Sequence, residues 1–377
     1  MQNMNSPRLL IRFSFLLLLL SSLPATAAEK TESLQLTLPP TFYAVPGVEM
    51  NIYFDNIVLT ETPEKYQFEV SCKLGKTEQN RWTLTPAASD AGEHPLSVKV
   101  TDANGKILGT AKTTLHVSAA NAGSERNTVC RLLIIGDSLT NATTYSNEIA
   151  RLLSAPGNPD WQMLGTHKPK SAAEGVAHEG YGGWTWQRFV SQYEPNPDGT
   201  NRKRSSPFVY LGKDGKPVLD LTRYFKEECN GKTPDFVIIM LGINDCFSAK
   251  QDAIDEKIDG MFTQADILIK ALQAAAPQAE IGICLTTPGN SRQEAFYANY
   301  KDRYSRWGWK KIQHRLVQRQ IEKFTDREKQ NLFIIPTELN LDIVDGYPVN
   351  NGVHPNKVGY DQIGASIYSW LKYRLEN

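Results

Sequence analysis

The sequence predicts a doubly wound α/β domain preceded by a small all-β sandwich domain. From residue 128 to 377, short apolar runs alternate with stretches of helical periodicity, which is typical of strands buried on both faces of a parallel sheet. From residue 29 to 118, apolar and polar residues alternate with a period of two, which predicts half-buried antiparallel strands. The small and polar residues 119–127 between these regions form the predicted linker.

The first 28 residues have the three parts of a secretory signal peptide. These are a charged start, a short apolar run and a small-residue cleavage site, found at Arg8 and Arg12, at Phe13 to Leu20, and at Leu23 to Ala28. The apolar run is too short for a stable membrane anchor. We therefore expect an exported protein, periplasmic, secreted or at the cell surface, without stable membrane insertion.

Composition excludes several other classes of protein. The 377 residues include 41 Lys and Arg against 41 Asp and Glu, so the chain lacks the basic surface that nucleic-acid binding requires. The five cysteines and six histidines are widely scattered and show no metal-ligand spacing. Neither a metal site nor a disulfide pairing is predicted.

The predicted sandwich, similar to an immunoglobulin-like module, contains five strand-like runs. They are Leu34–Leu38, Tyr66–Val70, Trp82–Leu84, Leu96–Val100 and Thr114–Val117. Asn104-Gly105 between the last two runs indicates a hairpin turn. The aromatic residues lie mostly in strand-like runs, so we expect a core and a packing or spacer domain, with carbohydrate binding as the alternative: Tyr43, Tyr53, Phe54, Tyr66, Phe68 and Trp82.

Four apolar runs in the second region predict the strands of its parallel sheet. They are Leu132–Ile135, Asp235–Leu241, Ile281–Leu285 and Leu332–Ile335, and helical stretches over Ile254–Ala276 and Lys310–Glu328 separate some of them. In doubly wound sheets, chemistry gathers in the loops at the carboxyl ends of the strands. The residues directly after these runs are therefore the candidate functional residues.

Four short motifs lie in such loops. In chain order they are Gly136-Asp137-Ser138-Leu139, Glu179-Gly180-Tyr181-Gly182-Gly183-Trp184-Thr185, Gly242-Ile243-Asn244-Asp245 and Gly352-Val353-His354-Pro355-Asn356. Each is weak alone, but together and in this order they resemble the SGNH (GDSL) hydrolase family. The resemblance covers about residues 129–377. It implies a three-layer αβα, flavodoxin-like catalytic domain and a carboxylic ester hydrolase without a metal or organic cofactor.

The resemblance also implies a role for each matching residue. Ser138 resembles the nucleophile and His354 the general base, while the oxyanion hole is formed by Ser138, Gly183 and Asn244. The chemistry agrees, because a serine hydroxyl needs a base to become nucleophilic and a developing alkoxide needs preorganised N–H donors. A glycine lets the backbone approach closely, and an asparagine amide donates without bringing a competing charge.

One position departs from the family. The family has an Asp three residues before the His, and here that residue is Asn351. An amide can orient the ring of His354 but cannot neutralise an imidazolium, and the Asp-to-Asn change in a serine protease costs about 10⁴ in rate. Either Asn351 or a backbone carbonyl steadies a Ser-His dyad, or a carboxylate comes from elsewhere, with Asp342, Asp345 and Glu179 as candidates.

The combination of an export signal, an esterase domain and a β-module resembles the bacterial carbohydrate esterases of this family. We expect an acetylated glycan as the substrate, with the O-acetyl group removed through an acyl-serine intermediate. Trp184, beside the oxyanion glycine, is a candidate to bind the sugar because aromatic faces pack against sugar rings. The alternatives are a lipid esterase or lysophospholipase, and a glycan-binding protein impaired in catalysis by Asn351.

Overall fold

A computed structural model describes Met1 and residues 34–200 and 204–376. Apart from Met1, the predicted signal peptide at 1–28 lies outside the described residues, as do residues 29–33 of the predicted sandwich. The expected export therefore stays a prediction.

The N-terminal strands form two sheets of their own over a shared core. The strands are β1 (Thr41–Ala44), β2 (Met50–Tyr53), β3 (Gln67–Ser71), β4 (Lys76–Thr77), β5 (Arg81–Leu84), β6 (Gly92–Thr101) and β7 (Ile107–Val117), and a short helix α1 (Phe54–Ile57) follows β2. One sheet has the order β1-β7-β6-β3 and the other β2-β5-β4. Side chains of both sheets, including Phe42, Ile52 and Val98, meet in one buried cluster. The predicted all-β sandwich is confirmed.

Several details of this region differ from the sequence prediction, which also did not include β1 and β4. Leu34–Leu38 is not a strand and makes only an isolated bridge between Leu36 and Val58. The alternation of apolar and polar residues does not reflect a strand here. The polar Thr37 points into the protein, and its Oγ1 lies 3.2 Å from Nε2 of His314. Strand β2 was missed because all four of its residues are buried, so it shows no alternation. The predicted hairpin between β6 and β7 is confirmed.

The second region contains a parallel central sheet. In chain order the remaining strands are β8 (Cys130–Gly136), β9 (Trp161–Leu164), β10 (Glu179–Gly180), β11 (Val209–Leu211), β12 (Pro217–Leu219), β13 (Phe236–Met240), β14 (Glu280–Cys284) and β15 (Leu332–Ile335). The sheet order is β9-β8-β13-β14-β15, with β10 pairing beside the end of β8, and all pairs are parallel. The order 2-1-3-4-5 of the five main strands is flavodoxin-like, which confirms the predicted fold class.

Helices cover both faces of this sheet. They are α2 (Ser138–Asn141), α3 (Thr144–Leu153), α4 (Trp186–Ser191), α5 (Leu221–Glu228), α6 (Ile243–Cys246), α7 (Ile254–Ala275), α8 (Gln293–Tyr300), α9 (Arg306–Phe324) and α10 (Lys357–Glu376). Helix α3 packs against α10, whereas α7 packs against α4, α5 and α9. Helix α9 begins before the predicted Lys310 because Ser305 caps it, its Oγ accepting from Gly308 N at 3.0 Å.

The N-terminal sheets hold the chain that follows β15. Asn51 N donates to Asn340 Oδ1 at 2.8 Å, and Tyr53 OH donates to Asp342 Oδ2 at 3.0 Å. The buried amide of Asn56 donates to the carbonyls of Glu338 and Leu341 at 2.7 and 2.9 Å. Residues 338–342 are therefore fixed by the N-terminal region, and they lead directly into the loop that carries His354. The predicted domain boundaries at 118 and 128 stay a prediction.

All five cysteines are free thiols. In the described ranges 34–200 and 204–376, no helix is both long and apolar enough to cross a membrane. Across those same ranges, no group of three or more His, Cys, Asp or Glu side chains is placed to hold a metal ion.

Candidate active site

Ser138 lies at the carboxyl end of β8, at the first position of helix α2. The turn into the helix is tight, because a Cβ on Gly136 would collide with Thr140 Oγ1. Asp137 caps the helix, its Oδ1 accepting from Leu139 N at 3.0 Å. The first N–H groups of a helix have no partner within it, so the backbone N–H of Ser138 is available to an oxyanion.

His354 reaches Ser138 from the loop between β15 and α10. Its Nε2 lies 2.8 Å from Ser138 Oγ, although the two residues are 216 positions apart in the chain. The other ring nitrogen, Nδ1, lies 3.1 Å from Asn351 Oδ1. The structure therefore connects Ser138, His354 and Asn351 in one series of hydrogen bonds.

The surroundings of Asn351 determine which nitrogen of His354 carries the proton. The backbone N–H groups of Val353 and His354 both donate to Asn351 Oδ1, at 3.2 and 3.0 Å. Because backbone N–H groups can only donate, the atom facing them is the amide oxygen and not the amide nitrogen. An oxygen acceptor at Nδ1 requires Nδ1 to be protonated, which leaves the lone pair of Nε2 to accept the hydroxyl proton of Ser138. A neutral Asn351 thus sets the productive tautomer.

Two of the three carboxylates considered as the triad acid are engaged elsewhere, and the third, Asp345, is exposed. Glu179 is fully buried and accepts hydrogen bonds from Thr166, Tyr181 and Tyr224. Asp342 accepts from Tyr53 OH and from the backbone N–H of Val344 and Asp345. Burial lowers the pKa of His354 below its usual 6.5, and no carboxylate raises it. The ring of His354 therefore has a neutral hydrogen-bond partner, Asn351.

The second motif forms a turn at the edge of the site. Trp184 N donates to Tyr181 O at 3.2 Å, and Gly183 within this turn has φ +75°, a conformation that glycine adopts without strain. Gly183 is exposed, and among the described residues none accepts from its N–H. This amide is free for a ligand.

Asn244 joins the first and second motifs. Its Nδ2 donates to Asp137 Oδ2 at 3.2 Å and to Trp184 O at 3.0 Å. Both amide hydrogens are thus used within the protein, so an oxyanion would have to replace one of these acceptors. Burial raises the pKa of Asp137 to about 7, and a protonated Asp137 would release the amide more readily.

The ring of Trp184, the candidate for binding the sugar, is largely buried. The side chain is only 8% exposed and packs against Tyr181 and Phe189, with ring centroids 4.7 and 4.8 Å apart. An indole in such an aromatic cluster gains more from packing than from facing solvent. Trp184 contributes its backbone carbonyl to the site, through Asn244.

Sequence reasoning missed Asn290, which supports the catalytic loop. Asn290 is 1% exposed; its N donates to Gly352 O at 2.9 Å and its Nδ2 to Asn351 O at 3.0 Å. It follows β14 by six residues, and its position after the carboxyl end of a buried strand was the only available signal. Asn290 fixes the backbone on which Asn351 stands.

A cleft of about 500 Å³ adjoins Asn244. Its walls come from the second motif and from α7 with the loop before it, and most of its side chains are charged or can hydrogen-bond, including Thr185, Gln187, Ser248, Lys250, Glu256 and Lys257. A cleft of this kind suits a ligand rich in hydroxyl groups and provides little apolar surface for a long acyl chain.

The hydroxyl of Ser138 is hydrogen-bonded to the unprotonated nitrogen of His354, and free backbone N–H groups lie beside it at the end of a flavodoxin-like sheet. This arrangement is that of a serine-dependent carboxylic ester hydrolase. A family model described as GDSL-like lipase/acylhydrolase matches residues 132–367, more than half of the chain. The chain belongs to this family, the SGNH (GDSL) hydrolases, as the four motifs indicated.

Solved structures similar to the chain are distant from it. A family 3 carbohydrate esterase of Clostridium thermocellum is 16% identical, with a TM-score of 0.42, and the match covers 66% of this chain and 100% of that one. A carbohydrate esterase family 3 protein from Talaromyces cellulolyticus is 17% identical, with a TM-score of 0.41 and coverage of 66% and 99%. An aryl esterase of M. smegmatis is 15% identical, with a TM-score of 0.37 and coverage of 65% and 99%. No curated protein matches the chain.

Proposed function

We propose that the protein removes small acyl groups, above all O-acetyl, from a polysaccharide or oligosaccharide. The observation that carries this proposal is the polar cleft beside Asn244, whose amide is bonded to Asp137, the residue before Ser138, while Ser138 Oγ lies 2.8 Å from His354 Nε2. Hydroxyl groups of a sugar can exchange hydrogen bonds with the side chains of this cleft, whereas a long acyl chain would leave them unpaired. The same contrast argues against a lipid esterase or lysophospholipase.

The reaction begins when Ser138 Oγ attacks the ester carbonyl and His354 Nε2 takes the hydroxyl proton. The N–H groups of Ser138 and Gly183 and the amide of Asn244 stabilise the oxyanion. His354 then gives its proton to the departing sugar oxygen, which leaves an acyl group on Ser138. Water, deprotonated by His354, hydrolyses this acyl-enzyme and restores the serine. Asn351 holds the ring by accepting from Nδ1 throughout.

Acetate release is the direct test. The purified protein is incubated with acetylated xylan, acetylated pectin and p-nitrophenyl acetate, with Ser138→Ala beside it and the exposed Ser124→Ala as a matched control. We expect release by the unaltered protein and by the control, and none by Ser138→Ala. Turnover of p-nitrophenyl esters that rises from acetyl to longer chains would instead favour a lipid esterase.

The neutral Asn351 is the one feature that favours a second candidate, a glycan-binding protein with impaired catalysis. That protein would bind glycan with equal affinity in the Ser138→Ala variant and would release no acetate from any ester. Ser138 would also fail to react with a fluorophosphonate probe. Labelling of Ser138 by the probe would count against this candidate, because labelling needs the activated hydroxyl.

We also propose that the protein is exported. The support is the signal-peptide pattern over residues 1–28. Mass spectrometry of the mature protein from a periplasmic or secreted fraction should give an N-terminus just after Ala27 or Ala28. An intact first segment in the cytoplasmic fraction alone would contradict export.

A further inference from the structure

A groove of about 580 Å³ lies between the N-terminal sheets and the loop after β15. One wall is aromatic and belongs to the N-terminal region, with Tyr66 and Phe68 half-buried along it. The opposite wall comes from the catalytic region, through Ser291, Ile343 and Val344. Neither region forms this groove alone.

The aromatic wall presents a flat face. The rings of Phe68 and Phe54 stack with centroids 4.6 Å apart and an angle of 8° between their planes. Phe54 is 2% exposed and covers one face of Phe68, while Phe68 itself remains half-exposed to the groove. A supported ring of this kind can pack against the apolar face of a sugar without having to be ordered by the ligand.

The two walls are held rigidly together. Lys310 of α9 donates to Asp55 Oδ1 at 2.5 Å and to Asp55 O at 2.7 Å, and both side chains are largely buried. Tyr53, which also lines the groove, is bound to Asp342 on the other side. The groove is therefore preformed, which reduces the entropy cost of binding an extended ligand.

The groove is also close to the catalytic loop. Ser291 on its wall donates through its backbone N to Ile343 O at 2.9 Å, and the preceding residue, Asn290, is bound to Asn351 and Gly352. Backbone spacing places the Cα atoms of Ser291 and His354 within about 17 Å of each other. A polysaccharide of a few sugar units could therefore reach from the groove to Ser138.

The charge at the groove limits the kind of polysaccharide that the groove accepts. Its cation, Arg306, lies 3.7 Å from Asp55 and is offset by it, whereas Glu61 and Glu64 stand exposed at the rim. Carboxylates of a uronate-rich glycan would be repelled there. A neutral glycan meets no such cost.

We propose that this groove is a remote subsite that binds a neutral stretch of the acetylated polysaccharide whose ester is cleaved at Ser138. The ligand class rests on the proposed function. The N-terminal region is then part of the substrate-binding surface, contrary to the spacer role expected from its sequence.

Kinetics on a large and a small substrate test the subsite. Phe68→Leu and Tyr66→Leu keep an apolar side chain but remove the flat face, and Ile107→Ala, at an exposed position on the same sheet outside the groove, is the matched control. We expect KM for acetylated xylan to rise roughly threefold to tenfold in the two groove variants. Turnover of p-nitrophenyl acetate, which is too small to span both sites, should stay the same. An unchanged KM for xylan, or an equal loss on both substrates, would overturn the subsite.

A binding measurement separates this inference from the proposed function. Ser138→Ala alone and combined with Phe68→Leu are run through gels containing acetylated xylan or acetylated pectin. Retardation by xylan that Phe68→Leu weakens supports the groove even if no acetate is ever released, in which case only the proposed function fails. The double variant Glu61→Lys and Glu64→Lys should be retarded more strongly by pectin. If the protein with both glutamates unaltered bound pectin more strongly than xylan, the charge argument would be contradicted.

Discussion

Replacing Asn351 with Asp tests the assignment of a neutral partner to His354. The substitution changes an amide to a carboxylate of nearly the same shape. Asn351 Oδ1 already accepts from two backbone N–H groups and lies 3.1 Å from Nδ1 of His354. Among the described residues, none bonds to Asn351 Nδ2, so the second carboxylate oxygen displaces no existing contact. We expect the geometry to be preserved and only the charge to change.

The size of the effect follows from the distance. An opposite charge within hydrogen-bond reach raises the pKa of a histidine by about 1 to 3 units, which corresponds to about 1.4 to 4 kcal/mol. The same interaction stabilises the imidazolium that forms as Ser138 loses its proton. The rate at high pH should therefore increase by about tenfold to a thousandfold at most.

The assay is kcat/KM on p-nitrophenyl acetate as a function of pH. The proposed mechanism makes neutral His354 the active form, so activity should fall as pH drops through its pKa. Because burial lowers that pKa in the unaltered protein, its acid limb should lie below 6.5. In Asn351→Asp the limb should move up by about 1 to 3 units while the plateau above it rises.

Two controls separate charge from geometry. Asn350→Asp adds the same charge one residue away on an exposed position, and it should leave both limb and plateau nearly unchanged. Asn351→Ala removes the acceptor without adding charge, so the plateau should fall because the ring is no longer oriented. An acid limb that stays in place in Asn351→Asp would refute the contact between residue 351 and His354.

Two further predictions concern the oxyanion hole and a third concerns the buried carboxylate of Glu179. Asn244→Ala should lower kcat by about 10² to 10³, measured on p-nitrophenyl acetate, since one donor to the developing charge is lost; a change below threefold would contradict that role. Gly183→Ala should lower kcat because a Cβ is strained at φ +75°, whereas Gly182→Ala, which also meets open space, should be tolerated. Glu179→Gln should reduce the free energy of unfolding by about 1 to 3 kcal/mol, measured by urea titration, because the carboxylate is buried among hydrogen-bond donors. It should also lower kcat with little change in KM. Tyr181→Phe, which removes one of those donors, is the comparison variant.

The sequence was sufficient for the parallel sheet because its strands are buried on both faces and read as continuous apolar runs. Strand β9 escaped because Trp161 and Gln162 are only half-buried, and β10 because it has two residues. The four motifs were recognisable because each follows a strand or precedes the last helix. Structure that depends on such local sequence patterns can be predicted from the sequence.

Contacts between distant segments could not be predicted in the same way. The role of Asn290 depends on its reach to residues about 60 positions away, and that of Trp184 depends on which aromatic side chains surround it. The sequence likewise predicted a separate spacer for the N-terminal region, since no pattern at Asn51, Tyr53 or Asn56 indicates a partner near residue 340. Such pairings are a product of tertiary packing and leave no periodic signal.

A neutral partner also gives His354 a property that a carboxylate would remove. Burial disfavours the imidazolium, and with no negative charge beside Nδ1 the ring stays unprotonated, and so able to act as a base, at pH values where a paired histidine is already charged. Because the proton is only partly transferred to His354 in the transition state, the plateau of Asn351→Asp should rise by less than the pKa shift would allow. The two pH profiles should therefore cross, with the variant faster at pH 9 and the unaltered protein faster near pH 5.5. Orientation does not require the charge, because Asn290 holds the backbone of residues 351 and 352 while the Asn351 side chain accepts from the ring. If the variant were faster at every pH, base availability would confer no advantage, and Asn351 would act only as a weaker substitute for Asp.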